Sequence, residues 1–185
     1  MSTYLRFGGV VPSGDALATK GGGDFAYGLF YKRRFSNLSS IIVDYSMQFV
    51  SYRVKSIGLI DPYYLIPQWD EETVRTTALT MDLTHRFNFG RRGDQIGKYV
   101  DIGGYGSWNL GRTHDYQGSD GNRDIQATFY AADYLSKTEA GLQFGIGYNA
   151  IGLYGRYRLT NLLMADHLAV DLPRLIIGVE FTALW

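Results

Sequence analysis

The sequence predicts an all-β protein, an eight-stranded antiparallel up-and-down barrel that crosses a membrane with its strands. In eight segments every second residue is apolar, aromatic or glycine, and the charged residues fall on the opposite parity. No run of 18 apolar residues exists that would predict a membrane-spanning helix. Aromatic residues make up 15% of the chain, which suits the aromatic girdles of a membrane barrel. An apolar exterior around a polar interior is the reverse of a soluble barrel.

Each predicted strand is long enough to cross the apolar part of a membrane. A tilted strand of about ten residues rises roughly 25 Å along the barrel axis. The whole chain, 1–185, is interpreted as a single domain. The eight strands are expected near residues 3–11, 24–35, 39–53, 74–87, 98–110, 135–148, 150–160 and 174–185.

The first four strands carry their outward stripe on odd-numbered positions. Their members are Leu5, Phe7, Gly9; Phe25, Tyr27, Leu29, Tyr31; Ile41, Val43, Tyr45, Met47, Phe49; and Leu79, Met81, Leu83.

The last four strands show the same alternation, on even positions in the fifth and sixth and on odd positions in the last two. Their outward members are Val100, Ile102, Gly104, Gly106, Trp108, Leu110; Ala140, Leu142, Phe144, Ile146, Tyr148; Ile151, Leu153, Gly155, Tyr157, Leu159; and Leu175, Ile177, Val179, Phe181, Ala183, Trp185.

The connections between the predicted strands alternate between long and short. The short turns are 36–38, 88–97 and Asn149-Ala150, and the long loops are 12–23, 54–73, 111–134 and 161–173. Outer-membrane barrels have short periplasmic turns and long external loops. We therefore expect a bacterial outer-membrane location with both chain termini periplasmic. No export signal precedes the first strand, so the chain is expected to be a mature exported form.

The inward parity predicts a filled and closed lumen. An eight-stranded barrel is just wide enough for side chains to fill it, and buried charges must be paired. We expect an internal network of ion pairs and hydrogen bonds that closes the barrel to diffusion. Its predicted members are Arg6, Asp44, Asp82, Arg86, Asp101, Lys137, Glu139, Arg156, Arg158 and Glu180.

Three external loops carry apolar residues that are unusual for solvated loops. Such patches mark partner-binding sites, or pack on one another as a lid. The predicted partner-binding residues are Ile57, Leu59, Ile60, Tyr63, Tyr64, Leu65, Ile66 and Trp69 in the second loop, Phe129 and Tyr130 in the third, and Leu163 and Met164 in the fourth. A second surface for a partner is the notch that Gly104 and Gly106 form beside Trp108 on the fifth strand.

The sequence does not predict catalysis or a metal site. His114, Asp115 and Ser119 lie close together on a loop expected to be flexible, which is not how a preorganised triad is built. The segment from Asp120 to Asp124 begins like a calcium loop, but Ile125 stands where a turn glycine is expected. The chain has no cysteine, a formal charge of zero and no basic cluster, so neither thiolate chemistry nor a nucleic-acid partner is predicted.

A family resemblance is carried by the C-terminal strands. The run from Gly145 to Tyr148, the segment from Gly155 to Leu162 and the apolar last strand ending on an aromatic residue resemble small outer-membrane β-barrel proteins of the Bacteroidetes type. These share their architecture with OmpA-like and OmpX-like eight-stranded barrels. The resemblance implies an outer-membrane location, contact with membrane lipid and lipopolysaccharide, no cofactor and no common enzymatic activity.

Members of that family range from structural proteins to subunits of secretion and nutrient-uptake assemblies. The resemblance therefore implies a non-enzymatic structural or accessory subunit, which would bind a partner in a larger envelope complex through its external loops or barrel wall. Two alternatives remain open: an outer-membrane lipid-modifying enzyme that uses His114 or His167, and a small pore or ligand carrier.

Overall fold

The computed structural model describes residues 2–12, 19–54, 69–89, 97–120, 123–130, 133–164 and 171–183, and these form an all-β fold. The strands are β1 (Ser2–Val11), β2 (Thr19–Arg34), β3 (Ser39–Val54), β4 (Trp69–Phe89), β5 (Lys98–Asp120), β6 (Arg123–Tyr130), β7 (Thr138–Tyr148), β8 (Ile151–Arg158) and β9 (Leu175–Ala183).

Eight of these strands close into an antiparallel barrel, which confirms the predicted strand number and architecture. Their order round the barrel is β1, β2, β3, β4, β5, β7, β8 and β9, and β9 pairs with β1. The remaining strand, β6, pairs with the C-terminal part of β5, residues 113–120, and does not belong to the closed barrel. No helix in the described part of the chain is long and apolar enough to span a membrane.

The strand register determines how strongly the strands tilt. Following each residue to its direct partner on the next strand leads from Leu5 through β2, β3 and β4 to Trp108 of β5. In the other direction they lead through β9, β8 and β7 to Lys98 of the same strand. This stagger of ten residues over eight strands tilts the strands by about 40° from the barrel axis, so each residue rises roughly 2.5 Å.

The prediction of a third loop at 111–134 is wrong for most of that range, because β5 and β6 occupy it. A β-bulge at Leu110 shifts the register between Thr77 and Ala78, so that Thr77 pairs with Gly111 and Ala78 with Asn109. The strand pairing then continues, β5 runs to Asp120, and β6 folds back on it as a hairpin. The bulge also exchanges the two faces of β5, which interrupts the alternation in the sequence.

The two faces of the barrel differ in composition as predicted. Large apolar side chains are exposed on the outside, among them Leu83, Ile102 and Ile146, each more than half exposed. Outward-facing charged residues mark the two borders of this apolar band, Arg33 and Lys98 near the turns and Arg53 and Arg75 near the loops. Within the band, no Asp, Glu, Lys or Arg of the described strands faces outward. Among the buried residues described, polar and charged ones slightly outnumber apolar ones.

The predicted turn at Asn149-Ala150 is confirmed. Asn149 has φ of 53°, a left-handed conformation that asparagine tolerates better than most residues. Tyr148 and Ile151 pair directly on either side of it. This tight turn keeps β7 and β8 in register. We call the end of the barrel that holds the short turns the turn end, and the opposite end the loop end.

Candidate functional site

A network of charged residues occupies the middle of the barrel, centred on the fully buried Asp82. One oxygen of Asp82 accepts a hydrogen bond from Arg6 Nη1 at 2.7 Å, and the other accepts a hydrogen bond from Arg156 Nη2. Arg6 Nε also donates to Glu180 at 2.7 Å. Asp44 lies 3.7 Å from Arg6 and accepts from the Tyr4 hydroxyl at 2.7 Å. Two buried guanidinium groups are thus paired with three carboxylates.

Further polar side chains extend this network towards the loop end. The amide oxygen of Gln48 accepts from Arg156 Nη1 at 2.8 Å, and its nitrogen donates to Asp24 at 2.7 Å. The Tyr154 hydroxyl donates to the second oxygen of Asp24 at 2.5 Å. The hydrogen bonds between these groups offset part of the cost of burying them.

At the turn end, Arg86 and Asp101 form a separate buried pair. The guanidinium donates two hydrogen bonds to the two carboxylate oxygens, at 2.8 and 2.6 Å. It also lies over the Tyr99 ring, 3.6 Å from the ring centroid. Bidentate pairing and stacking fix both side chains, and so block this end of the lumen.

At the loop end, a lid of apolar side chains covers the barrel mouth. The main chain of Leu135 pairs with that of Leu163, and both side chains are buried together with Leu162 and Leu172. One oxygen of Asp171 accepts hydrogen bonds from the backbone nitrogens of residues 162 and 163, and the other lies 3.3 Å from Arg158 Nη1.

Arg158 connects this lid to the barrel wall beneath it. Its Nη2 donates to the carbonyl oxygen of Leu172 at 2.9 Å, and its Nε lies 3.7 Å from Glu139. Glu139 also accepts from the side-chain amide of Asn109 at 2.7 Å. The lid is therefore attached to the wall by buried ionic and hydrogen-bonded contacts as well as by apolar packing.

Little free space remains inside the barrel. A cavity of about 20 Å³ lies between Arg6, Asp44 and Arg86, and another of about 10 Å³ lies between Tyr105, Glu139 and Arg158. Such volumes hold about one water molecule each. Side chains therefore fill the lumen in the described part of the chain.

A buried histidine cluster lies beyond the lid, where β4 and β5 project from the barrel. His114 is fully buried, and its Nε2 lies 3.2 Å from Glu72. Its Nδ1 lies 2.5 Å from the Tyr134 hydroxyl and 3.1 Å from the Tyr116 hydroxyl. Burial is the main cause that raises the pKa values of both tyrosines above the ordinary value. The prediction of a flexible loop at His114 is wrong, because the bulge turns this residue inward on a paired strand.

The structure places all of the predicted lumen residues except Lys137 inside the barrel. Lys137 is exposed, just before β7 begins and at the rim of the barrel. The expectation that it joins the network is wrong, because its position lies above the level at which the barrel walls enclose side chains.

The predicted partner-binding residues are divided among several environments. Phe129, Tyr130 and Met164 are exposed, with Tyr130 reaching 80%. Leu163 is buried in the lid, so the expectation that it contacts a partner is wrong. Trp69 begins β4, but its side chain lies outside the described residues, as do Ile57, Leu59, Ile60, Tyr63, Tyr64, Leu65 and Ile66, and also His167.

One contact between polar side chains on the outer face was missed at the sequence level. Ser39 Oγ lies 2.7 Å from Nε2 of His85 on the outward face near the turn end. The His85 ring stacks on Phe87 with centroids 4.4 Å apart. The two residues are 46 positions apart, and only the pairing of β3 with β4 brings them together.

Comparisons with known proteins do not identify a family for this chain. No protein-family model matches the sequence, and a search of curated proteins finds no match either. In the described residues, no group of three or more His, Asp or Glu side chains could hold a metal ion. The functional interpretation therefore rests on the barrel itself.

Proposed function

We propose that this protein is a structural or accessory β-barrel of the bacterial outer membrane, of the Bacteroidetes type that its C-terminal strands resemble. The observation that carries the proposal is the ring of exposed apolar side chains round a polar interior. Soluble monomers rarely expose apolar patches beyond a few hundred Å². Lipid is the environment in which such an outer face is stable.

The height of the apolar wall supports this location. On β5 the outward apolar stripe runs from Val100 to Leu110, which corresponds to roughly 25 Å at the observed tilt. This matches the apolar band of outer-membrane barrels, about 25 Å tall. Aromatic residues lie towards both ends, Tyr148 near the turns and Trp108 near the loops, as membrane girdles require.

The closed interior supports an accessory role rather than transport. Side chains fill the lumen, so contact with other molecules is left to the wall and the projecting loop end. There, Tyr130 and Met164 are exposed and offer apolar contacts for a protein partner in an envelope complex. Recovery with a defined partner from native membranes supports this role, whereas recovery only as a free barrel contradicts it.

A pair of matched variants tests the membrane location. Arg in place of Leu83 puts a charge at mid-wall, and we expect a loss of about 2–4 kcal/mol in folding free energy in lipid. Arg in place of Thr73, which is also outward but lies above the wall, should be tolerated. The measurements are heat-dependent gel mobility and the yield of protein in the outer-membrane fraction. A native protein that stays monodisperse in buffer without detergent would contradict the proposal.

The contact between Ser39 and His85 favours a second candidate function, hydrolysis of a lipid ester at the turn-side membrane surface. A histidine within hydrogen-bond distance can take the proton of a serine nucleophile. A fluorophosphonate probe should then label the protein, and Ser39→Ala or His85→Asn should abolish the labelling. Ser51→Ala, also on the outward face of β3, is the control. Absence of labelling in detergent and in lipid rejects this candidate.

A further inference from the structure

Two tyrosine side chains lie on the outer wall at a level where lipid offers them no hydrogen-bond partner. Tyr45 is the third of the five outward apolar residues of β3, which run from Ile41 to Phe49, and so lies near mid-wall. Tyr27 pairs directly with Met47 and is therefore a diagonal neighbour of Tyr45. Both side chains are more than half exposed. We call these two residues the tyrosine patch.

The hydroxyl groups of the tyrosine patch have no hydrogen-bond partner among the described residues. The ring of Tyr27 stacks on the ring of Phe49, with centroids 6.5 Å apart, and this contact gives the hydroxyl no hydrogen-bond partner. Two other outward tyrosines lie nearer the ends of the wall, Tyr148 at the turn end and Tyr157 towards the loops. A polar group left unpaired in hydrocarbon is costly.

The tyrosine patch borders a depression on the wall. This groove has a volume of about 800 Å³ and is lined mainly by apolar side chains. Leu5, Leu29, Met47 and Phe181 contribute to it together with the two tyrosines. The surface is therefore mainly apolar, with two hydrogen-bonding groups in its lining.

We propose that the outer wall formed by β1, β2 and β3 is an interface at which two copies of this chain associate within the membrane. The inference rests on the proposed membrane location. A phenol hydroxyl both donates and accepts a hydrogen bond, so the two hydroxyls of one copy can pair with those of a second copy across a two-fold axis. Acyl chains offer no such group at this depth. The patch is thus complementary to itself.

The geometry of this association follows from the position of the tyrosine patch. Isologous contacts place the same residues of both copies near the axis. Leu29, which pairs directly with Tyr45, then lies close to its counterpart in the second copy. Ile146 on β7, four strands away round the barrel, faces the opposite side and is distant from the contact.

The chain has no cysteine, so single cysteines report on the interface without background. Leu29→Cys and Ile146→Cys are each treated with a short bismaleimide in native membranes. We expect a covalent dimer from Leu29→Cys, in at least fivefold higher yield than from Ile146→Cys. Adding Tyr27→Phe and Tyr45→Phe to Leu29→Cys should lower the yield by at least about threefold, the order expected for hydrogen bonds between membrane segments. Tyr148→Phe with Tyr157→Phe should leave it unchanged.

Four outcomes overturn the proposal. They are absence of a dimer, equal yields from the two cysteine positions, a yield that is insensitive to the loss of the two hydroxyls, and a cross-link from Leu29→Cys to a different protein. Heat-dependent gel mobility separates this failure from failure of the proposed membrane location. A heat-modifiable protein without the cross-link fails only as a dimer, whereas a protein that never enters the membrane fails the proposed function itself.

Discussion

At the scale of single residues, Asp82 is the group on which the barrel interior depends most. It lies between Arg6 and Arg156, and all three side chains are almost fully buried. Arg75 offers a contrast, because it pairs with Asp115 on the surface and remains 61% exposed. Buried and exposed ion pairs of this kind differ strongly in what the loss of one partner costs.

Asp82→Ala tests this difference. The change leaves two buried guanidinium groups without their shared carboxylate, so we expect the free energy of unfolding to fall by about 3–5 kcal/mol. Arg75→Ala is the control, with an expected change below about 1 kcal/mol. Urea unfolding in lipid vesicles measures both. Equal effects of the two substitutions would show that the central network does not stabilise the barrel.

Tyr116 and Tyr134 give the histidine cluster a predictable response to alkaline pH. Burial raises their pKa values above the ordinary value of about 10. Because the unfolded chain then loses these protons at a lower pH than the folded one, their contribution to stability is present below about pH 10 and is lost as the pH rises further.

Replacing both tyrosines by phenylalanine should therefore flatten the decline in unfolding temperature between about pH 10 and 12. Tyr130→Phe, at an exposed position on β6, should leave the decline unchanged. Thermal scans at constant ionic strength provide the measurement. Parallel curves for the native chain and the double variant argue against a titrating role for this cluster.

At the scale of strands, a pair of glycines shapes the wall beside the central network. Gly8 and Gly178 are direct partners on β1 and β9. A Cβ atom on Gly178 would lie 2.6 Å from the Cα of Gly8 and 2.7 Å from the Tyr154 ring. The glycine pair thus makes room for the aromatic ring, whose hydroxyl reaches Asp24.

Gly178→Ala should destabilise the barrel by about 1–3 kcal/mol, because the added methyl group would force backbone and ring apart. Gly106→Ala is a matched control, since a Cβ atom there meets nothing within 4 Å. That substitution is expected to be neutral or to stabilise by up to about 1 kcal/mol. Urea titration of the two variants in the same detergent compares them. Similar midpoints would show that the wall near Gly178 relaxes freely.

At the scale of the whole molecule, closure of the barrel converts separate charged side chains into a plug. Arg86 and Asp101 fill the turn end, the network round Asp82 fills the middle, and Arg158 holds the lid at the loop end. The cavities left between them have room for about one water molecule each. No continuous path for ions is therefore expected.

Planar-bilayer recordings should show no stable open steps of porin size. A variant in which Arg6, Asp82 and Arg156 are all alanine provides the comparison, because it removes three buried side chains that fill the middle of the lumen. Small steps from this variant and none from the native protein would agree with a plugged lumen. Stable large steps from the native protein would contradict the closed barrel and favour the pore alternative.

The sequence was sufficient to predict the strands of the barrel wall but not the contacts of the candidate site. The odd and even stripes give all eight barrel strands, and Asn149 marks one turn. The projecting part of β5 was missed because the bulge at Leu110 exchanges inward and outward positions, so that Arg112 and His114 fall out of phase with Val100 to Trp108. The contact between Ser39 and His85 has no sequence signature, since neither residue specifies its partner.

By itself, the sequence determined how many strands close the barrel and which face of each is apolar within the barrel wall. Alternation with a period of two is local, so it can be read one segment at a time. Only the tertiary structure decided which charges meet. Arg6 and Glu180 are 174 positions apart, and Arg156 and Asp82 are 74 apart. Their contacts depend on the ten-residue stagger at which the barrel closes, and this register is a property of all eight strands together.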